Sequence, residues 1–337
     1  MSEDQAQHYP GHSVKMKGKS LLTLSDLSDR ELVHLIDLAG ELKRRKNGEV
    51  RGSLLAGRNL ALLFEKASTR TRCAAAVAIA EEGGNSEYLA PDQIHLGHKE
   101  SVADTARVLG RMFDAILFRG FSQKTAETLA ECAGVPVYNG LTDAAHPTQA
   151  LADMLTIYET FGSFKDLKLV YCGDGGNNVA RSLTTACAML GLDFVNCTPE
   201  ELAPPRSFTS AARKLASKHG GKVSVIGKPE TAAKGANVIY TDVWASMGEE
   251  SKLAERIKLL TPYRVDMKLM QKTGNLNSNK VIFLHCLPAF HDNNTELTGD
   301  TGAMEVTDEV FQSEFSRVFD QAENRVHTLK ALMAATL

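Results

Sequence analysis

Along nearly the whole chain, short apolar runs of strand length alternate with stretches in which apolar positions recur at helical spacing. Runs that are apolar throughout suit strands covered on both faces, and such strands separated by helices mark parallel sheets. In the first half, Asn59–Phe64, Ala115–Phe118 and Val135–Tyr138 read as strands. Between them the alanine-rich Cys73–Glu82, closed by Gly83-Gly84, and the segment Ser101–Phe113 read as crossover helices. The second half repeats the pattern, with Leu167–Cys172, Asp193–Cys197, Lys222–Ile226, Val238–Thr241 and Val281–His285 as strands. Thr148–Phe161 reads as one helix ended by Gly162, and Gln321–Ala335 as a terminal helix that returns to the first half. The pattern predicts an α/β fold: two doubly wound domains with mostly parallel sheets, joined by interdomain helices. Residues 1–150, completed by helix 321–337, form the first expected domain and residues 151–320 the second.

A chain of 337 residues can bury two ordinary cores, which fits that division. Its net charge of -3 gives no global pull on anions, so nucleic acid is not an expected partner and any anion affinity must be local. The six cysteines, Cys73, Cys132, Cys172, Cys187, Cys197 and Cys286, contain no C-x-x-C pair, which argues against a zinc site or a disulfide framework and fits a reducing compartment. Met1–Ser20 is polar and lacks the apolar centre of a secretory signal, and no apolar run reaches the ~20 residues of a membrane span. A soluble, cytoplasmic protein is expected, with no membrane partner.

Candidate chemistry lies at the ends of the predicted strands. Leu62-Leu63-Phe64 runs into Glu65-Lys66-Ala67-Ser68-Thr69-Arg70-Thr71-Arg72 and then the alanine-rich helix. Hydroxyls, guanidinium groups and free backbone N–H groups at a helix start converge on one point that suits a phosphate. The alternative is that Ser68 only caps the helix while the arginines are solvated. The Walker pattern is missing, so no nucleotide triphosphate is implied. His146 follows the strand Val135–Tyr138 and falls at the carboxyl edge where open α/β sheets bind ligands, although loop or capping histidines are common. Gly173-Asp174-Gly175-Gly176-Asn177-Asn178 follows a strand but fails the G-x-G-x-x-G spacing, so no NAD is expected. Asp242, after Val238–Thr241, is placed either to meet an ammonium or to cap the next segment. Cys286 follows the strand Val281–His285, as a small buried hydrophobe or as a reactive thiol.

Taken in order, Ser68-Thr69-Arg70-Thr71-Arg72, Phe118-Arg119-Gly120, His146-Pro147-Thr148-Gln149, Asp242-Val243-Trp244-Ala245-Ser246-Met247-Gly248 and His285-Cys286-Leu287-Pro288 resemble the aspartate and ornithine carbamoyltransferase family, from about Leu21 to the C-terminus. The resemblance implies transfer of a carbamoyl group from carbamoyl phosphate to the δ-amine of L-ornithine, giving L-citrulline and phosphate. It implies a carbamoyl phosphate site of Ser68, Thr69, Arg70, Thr71, Arg119, His146, Gln149, Cys286, Leu287 and Arg325. In it Thr71, Arg119 and His146 hold the carbonyl oxygen, and Gln149 meets the carbamoyl amide. By the same resemblance Asn178, Asp242, Ser246 and Met247 bind ornithine, and Cys286 with Asp242 orients and deprotonates the amine. His95 would reach a neighbouring subunit's phosphate, which implies a homotrimer or a larger assembly of trimers. Neither a metal nor an organic cofactor is expected, because the acyl phosphate is already activated. Arginine synthesis and the reverse, citrulline-degrading direction both stay open. So do a carbamoyltransferase for another amine such as putrescine, and a non-catalytic binding module sharing the fold.

Overall fold

The computed structural model of the protein describes residues 14–50, 52–90, 92, 94, 96–97, 99–245, 252–295, 298 and 302–337; three site residues expected from the sequence, His95, Ser246 and Met247, lie outside them. The first sheet is built from β1 (Asn59–Phe64), β2 (Asn85–Leu89), β3 (Ala115–Arg119) and β4 (Val137–Leu141), in the order β2-β1-β3-β4. The second holds β5 (Lys168–Cys172), β6 (Asp193–Cys197), β7 (Val223–Ile226), β8 (Val238–Thr241) and β9 (Ile282–His285), in the order β7-β6-β5-β8-β9. Every pairing is parallel. In each sheet the order reverses about the first strand, so that β1 and β5 lie inside and the crevices beside their carboxyl ends are the topological switch points.

The connecting helices of the first half are α1 (Asp29–Asn47), α2 (Thr69–Ala80), α3 (Val102–Met112), α4 (Gln123–Ala133) and α5 (Pro147–Phe161). The second half adds α6 (Asn178–Leu190), α7 (Arg206–Lys218), α8 (Pro229–Ala233), α9 (Leu253–Leu260), α10 (Met267–Lys272), α11 (Asp308–Phe311) and α12 (Val318–Thr336). Strand periodicity sorts side chains between layers. On β1, Leu60, Leu62 and Phe64 enter one core while Ala61 and Leu63 enter another beneath α3 and α4. On β5, Leu169 and Tyr171 join the same core as Leu60, whereas Val170 and Cys172 face a third cluster with Ile239 and Phe283. The inward faces of both sheets therefore share one apolar core, and α1, α5 and α12 supply its middle through Leu35, Ile36, Leu151, Met154, Leu329 and Leu332.

Three local differences from the sequence reading have physical causes. β2, Asn-Ser-Glu-Tyr-Leu, gives no apolar signal because it is an edge strand whose side chains are all exposed or half-buried. β4 begins at Val137 rather than Val135, as Pro136 has no N–H to give the ladder. α2 begins at Thr69 rather than Cys73, because Ser68 caps it by accepting the Thr71 N–H at 3.2 Å. The hydroxyl and guanidinium residues thus fall within the first helical turn rather than in a loop before it.

α12 belongs with the first sheet by its contacts as well as with the second by its chain position. The Gly18 N–H donates to the Thr336 carbonyl at 2.8 Å, Tyr138 and Thr336 share a hydroxyl hydrogen bond of 2.6 Å, and Lys330 pairs with Glu81 at 2.7 Å. Leu332, 1% exposed in the shared core, should therefore report on both halves at once. Leu332→Ala is expected to cost ~2–5 kcal/mol, read as a lower denaturant midpoint in one cooperative transition; an unchanged midpoint would show that α12 is not part of the core.

Candidate active site

The catalytic candidates sit at the carboxyl ends of β1, β3, β4, β8 and β9, where successive strand ends open toward one crevice. Arg119 is the last residue of β3, His146 precedes Pro147 at the start of α5, Asp242 follows β8, and Cys286 follows β9. Within Ser68–Arg72, helical geometry separates the two arginines, since residues two apart point to different faces. Arg72 turns outward and its guanidinium stacks 3.9 Å over the Tyr88 ring. Arg70 turns inward, and its charge acts on His146, Arg119, Arg325, Asp242 and Cys286. Ser68 is therefore the cap of the alternative reading, but only one of the two arginines is left to solvent. Thr69, at the first helical position, is exposed.

Thr71, fully buried, ties three elements together: its Oγ1 accepts from Arg119 Nη1 at 3.3 Å and from Arg325 Nη2 at 2.8 Å. Arg325, on α12, also donates Nη1 to Gln149 Oε1 at 2.9 Å and lies 3.5 Å from His146 Nε2. Burial, reinforced by mutual repulsion with Arg70, lowers the Arg119 guanidinium to about 10. Burial followed by the charges of Arg119 and Arg70 lowers Arg325 to about 10 as well. Burial and the same three arginines hold His146 well below the ordinary imidazole range, so it is neutral. The Nε atoms of Arg119 and Arg325 and Nδ1 of His146 are buried with no hydrogen-bond partner among the described residues. Cations desolvated against one another, with buried polar atoms left over, form a site that gains from an anion.

The facing wall comes from the second sheet. Cys286 Sγ donates to Asp242 Oδ1 at 3.0 Å, and the Val243 N–H donates to the same oxygen at 2.8 Å. Burial raises Asp242 above the usual carboxylate range. Burial, then the neighbouring carboxylate, pushes the Cys286 thiol well up, with Arg70 opposing. Leu287 has left-handed backbone geometry (φ 60), a conformation that costs a non-glycine residue roughly 1–3 kcal/mol. Its N–H is held by His285 Nδ1 at 2.9 Å, and His285 Nε2 faces Glu305 Oε1 at 3.2 Å.

The glycine-rich turn after β5 serves its own geometry. Gly173 has φ +138, and a Cβ on Gly175 would lie 2.4 Å from Asn196 Oδ1, so both positions need glycine. The turn delivers Asn177, whose Nδ2 donates to Tyr171 OH at 2.7 Å and reaches Asp242 Oδ2 at 3.4 Å. Asn178 Nδ2 donates to the Thr142 carbonyl at 2.7 Å, across to the loop before His146. Ser182 completes that bridge, accepting the His146 N–H at 2.9 Å and donating to the Asn178 carbonyl at 2.8 Å. Sequence reasoning missed Asn177, Ser182 and His285 as supports, although Asn177 and His285 each lie beside a residue that it did select. Asn177 and Asn178 form one pair in the run, and nothing local says which of them faces Asp242.

Asp242, His285 and Cys286 offer donor atoms within 4.8 Å of one another and form one potential metal-ligand group; His291, Asp292 and Asp308 form another. In the first, both ring nitrogens of His285 already face Leu287 and Glu305, which favours the pair Asp242–Cys286 as a site for a cationic ligand. No helix among the described residues is long and apolar enough to cross a membrane.

Residues 19–159 match the aspartate/ornithine carbamoyltransferase carbamoyl-P binding domain, and residues 165–336 match the Asp/Orn binding domain of the same enzymes. The chain belongs to the aspartate/ornithine carbamoyltransferase family. It is a carbamoyltransferase enzyme. It is 56% identical over 328 residues to a catabolic ornithine carbamoyltransferase of Bacillus cereus, covering 96% of this chain and 97% of that one. An ornithine carbamoyltransferase of Streptococcus pyogenes is 54% identical over 327 residues, covering 95% of this chain and 96% of the relative. Among solved structures, the ornithine carbamoyltransferase of Pyrococcus furiosus superposes with a TM-score of 0.88 at 42% identity, over 96% of this chain and 98% of that one.

Within this carbamoyltransferase the neutrality of His146 has a pH signature. A histidine with a lowered folded pKa contributes stability that is present above the unfolded value of ~6.5 and lost as pH falls toward the folded one. Between about pH 7.5 and 5, the denaturant midpoint of the wild-type chain should therefore fall more than that of His146→Gln. Asp153, raised by burial to about 7, acts in the opposite sense and does so in both proteins. Parallel midpoint curves would mean that His146 is not held neutral by its surroundings.

Proposed function

We propose that this chain transfers the carbamoyl group of carbamoyl phosphate to the δ-amine of L-ornithine, releasing L-citrulline and phosphate. The observation that carries the reading is the convergence of Arg70, Arg119, Arg325 and neutral His146 on one side of a crevice with the Asp242–Cys286 pair on the other. A cationic wall opposite a carboxylate suits an anionic acyl donor and a cationic amine acceptor at once. Residues 1–150 with helix 321–337 are taken as the donor domain and residues 151–320 as the acceptor domain.

The phosphoryl end is assigned to the start of α2, with the backbone N–H groups and hydroxyls of Ser68, Thr69 and Thr71 and the Arg70 guanidinium as donors. The carbonyl oxygen is assigned to Thr71, Arg119 and His146, where fixed donors meet charge as it develops. Gln149 takes the carbamoyl amide, the Leu287 backbone contacts the carbamoyl group, and Arg325 adds a further contact to carbamoyl phosphate. Asn178 takes the amino-acid head of ornithine, with Ser246 and Met247 beside it, and the δ-ammonium enters against Asp242 and Cys286.

An ammonium has no lone pair, so it must first release a proton. Asp242 is the acceptor favoured by charge, because the Cys286 thiol is itself a donor to that carboxylate; Cys286 then orients the amine and relays the proton. The amine lone pair forms the new C–N bond at the carbamoyl carbon, giving a tetrahedral intermediate. Its collapse breaks the C–O bond to phosphate, and the phosphate leaves with the second amine proton. A homotrimer in the cytoplasm belongs to the same proposal, with His95 directed at a neighbouring subunit's phosphate. Supporting it are the edge of β2, unpaired among the described residues, the exposed Val108 and Met112 on α3, and six cysteines free of disulfides.

The test is citrulline formation by the purified chain with carbamoyl phosphate and, in parallel, ornithine, putrescine and aspartate. Ornithine should be the preferred acceptor, and Cys286→Ala should lower kcat by about 10²-fold or more while carbamoyl phosphate affinity changes by only a few fold. Equal turnover in the variant would remove Cys286 from the chemistry, and preference for putrescine would replace the acceptor.

A further inference from the structure

One buried carboxylate lies behind the donor pocket without lining it. Asp153, on α5 one turn after Gln149, is fully buried. Its Oδ1 accepts from Gln149 Nε2 at 2.8 Å and from Gln321 Nε2 at 2.6 Å, and its Oδ2 accepts from Tyr240 OH at 3.3 Å. Gln321, on α12, also donates to Tyr240 OH at 3.1 Å, and its own Oε1 accepts the His285 N–H at 3.0 Å. The cluster thus draws on α5, α12 and β8 and reaches the end of β9.

Each amide in this cluster is held between a group that only accepts and a group that only donates. Asp153 Oδ1 offers Gln149 only an acceptor, whether the carboxyl is ionised or carries its proton on Oδ2 beside Tyr240 OH, and the Arg325 guanidinium offers it nothing but donors. The amide nitrogen must therefore turn back toward Asp153, and Oε1 must turn toward Arg325 and the pocket. Gln321 is oriented by the same logic, between Asp153 and a backbone N–H. Without Asp153, the Gln149 amide N–H would be buried without an acceptor, Gln321 would keep only Tyr240 OH, and Gln149 could rotate to recover a partner.

We propose that Asp153 is a positioning residue that fixes the Gln149 carbonyl toward the donor pocket and so makes the pocket select an acyl group bearing an N–H, a carbamoyl, over the isosteric acyl group bearing a methyl, an acetyl. This rests on the carbamoyl-transfer reading. The remaining lone pair of Gln149 Oε1 meets an N–H donor in carbamoyl phosphate. A methyl at that place leaves the buried oxygen unmatched, and sites built around a substrate N–H discriminate strongly against analogues that lack it.

The experiment compares dissociation constants for carbamoyl phosphate and acetyl phosphate in the full chain, in Asp153→Leu and in Asp153→Asn, with folding checked by circular dichroism and citrulline formation measured alongside. The wild-type chain should favour carbamoyl phosphate. Asp153→Leu should narrow that ratio by about tenfold. Asp153→Asn, which keeps an oxygen toward the two amides, should hold it within about threefold. A folded Asp153→Leu with the wild-type ratio overturns the inference. So does loss of the ratio in Asp153→Asn, which decides the matter even if the leucine variant does not fold. Should the wild-type chain make no citrulline, the carbamoyl-transfer reading falls and this inference with it; citrulline with an unmoved ratio removes only the role of Asp153.

Discussion

The site depends on a group of cations that the fold holds closer and drier than they would choose. Arg119 and Arg325 meet on the single hydroxyl of Thr71, Arg70 adds its charge from the same helical turn, and His146 responds by staying neutral. Such a cluster is tolerable because its members are anchored by separate rigid elements, β3, α12, α2 and α5, each secured by apolar burial elsewhere in the shared core. Packing supplies what the repulsion removes. An anion then finds donors already oriented, and little reorganisation is needed when charge shifts during acyl transfer.

The two sides of the crevice are linked by backbone as much as by side chains. Thr142, just before His146, offers its carbonyl to Asn178, and Ser182 bridges the His146 N–H to the Asn178 carbonyl. Behind them, Asp153 gathers amides from α5 and α12. Displacement of the acceptor-side helix α6 would therefore be felt at His146 through two hydrogen bonds. Donor and acceptor groups are positioned by one connected scaffold rather than by two independent pockets.

Much of this was legible in the sequence because parallel strands announce themselves as apolar runs, and ligands gather where such runs end. Eight of the nine strands among the described residues were readable, and His146, Asp242 and Cys286 lie beyond the carboxyl ends of strands, as expected. β2 was not readable, since its exposed edge position asks for no apolar pattern. The start of α2 was misplaced because hydroxyl and arginine residues look like loop, until Ser68 is seen capping the first turn. The convergence of Arg325 with Thr71 joins residues far apart in sequence, and only family resemblance could suggest it beforehand. Asp153 and Ser182 escaped notice for the opposite reason. Asp153 lies on α5 among Thr148, Gln149 and Thr156, and Ser182 on α6 among Arg181, Thr184 and Thr185, so neither has a local signature, and the role of each comes from its neighbours in the folded structure.

The central claim is that the cationic cluster is a preformed seat for the phosphate and carbonyl of the acyl donor. It is tested most directly by determining the structure with carbamoyl phosphate bound. The phosphoryl oxygens should lie within hydrogen-bond reach of the Ser68–Thr71 turn and Arg70, and the carbonyl oxygen should lie beside Arg119 and His146. A donor bound away from Arg70, or one that reaches these groups only after α12 has moved off Thr71, would contradict the account.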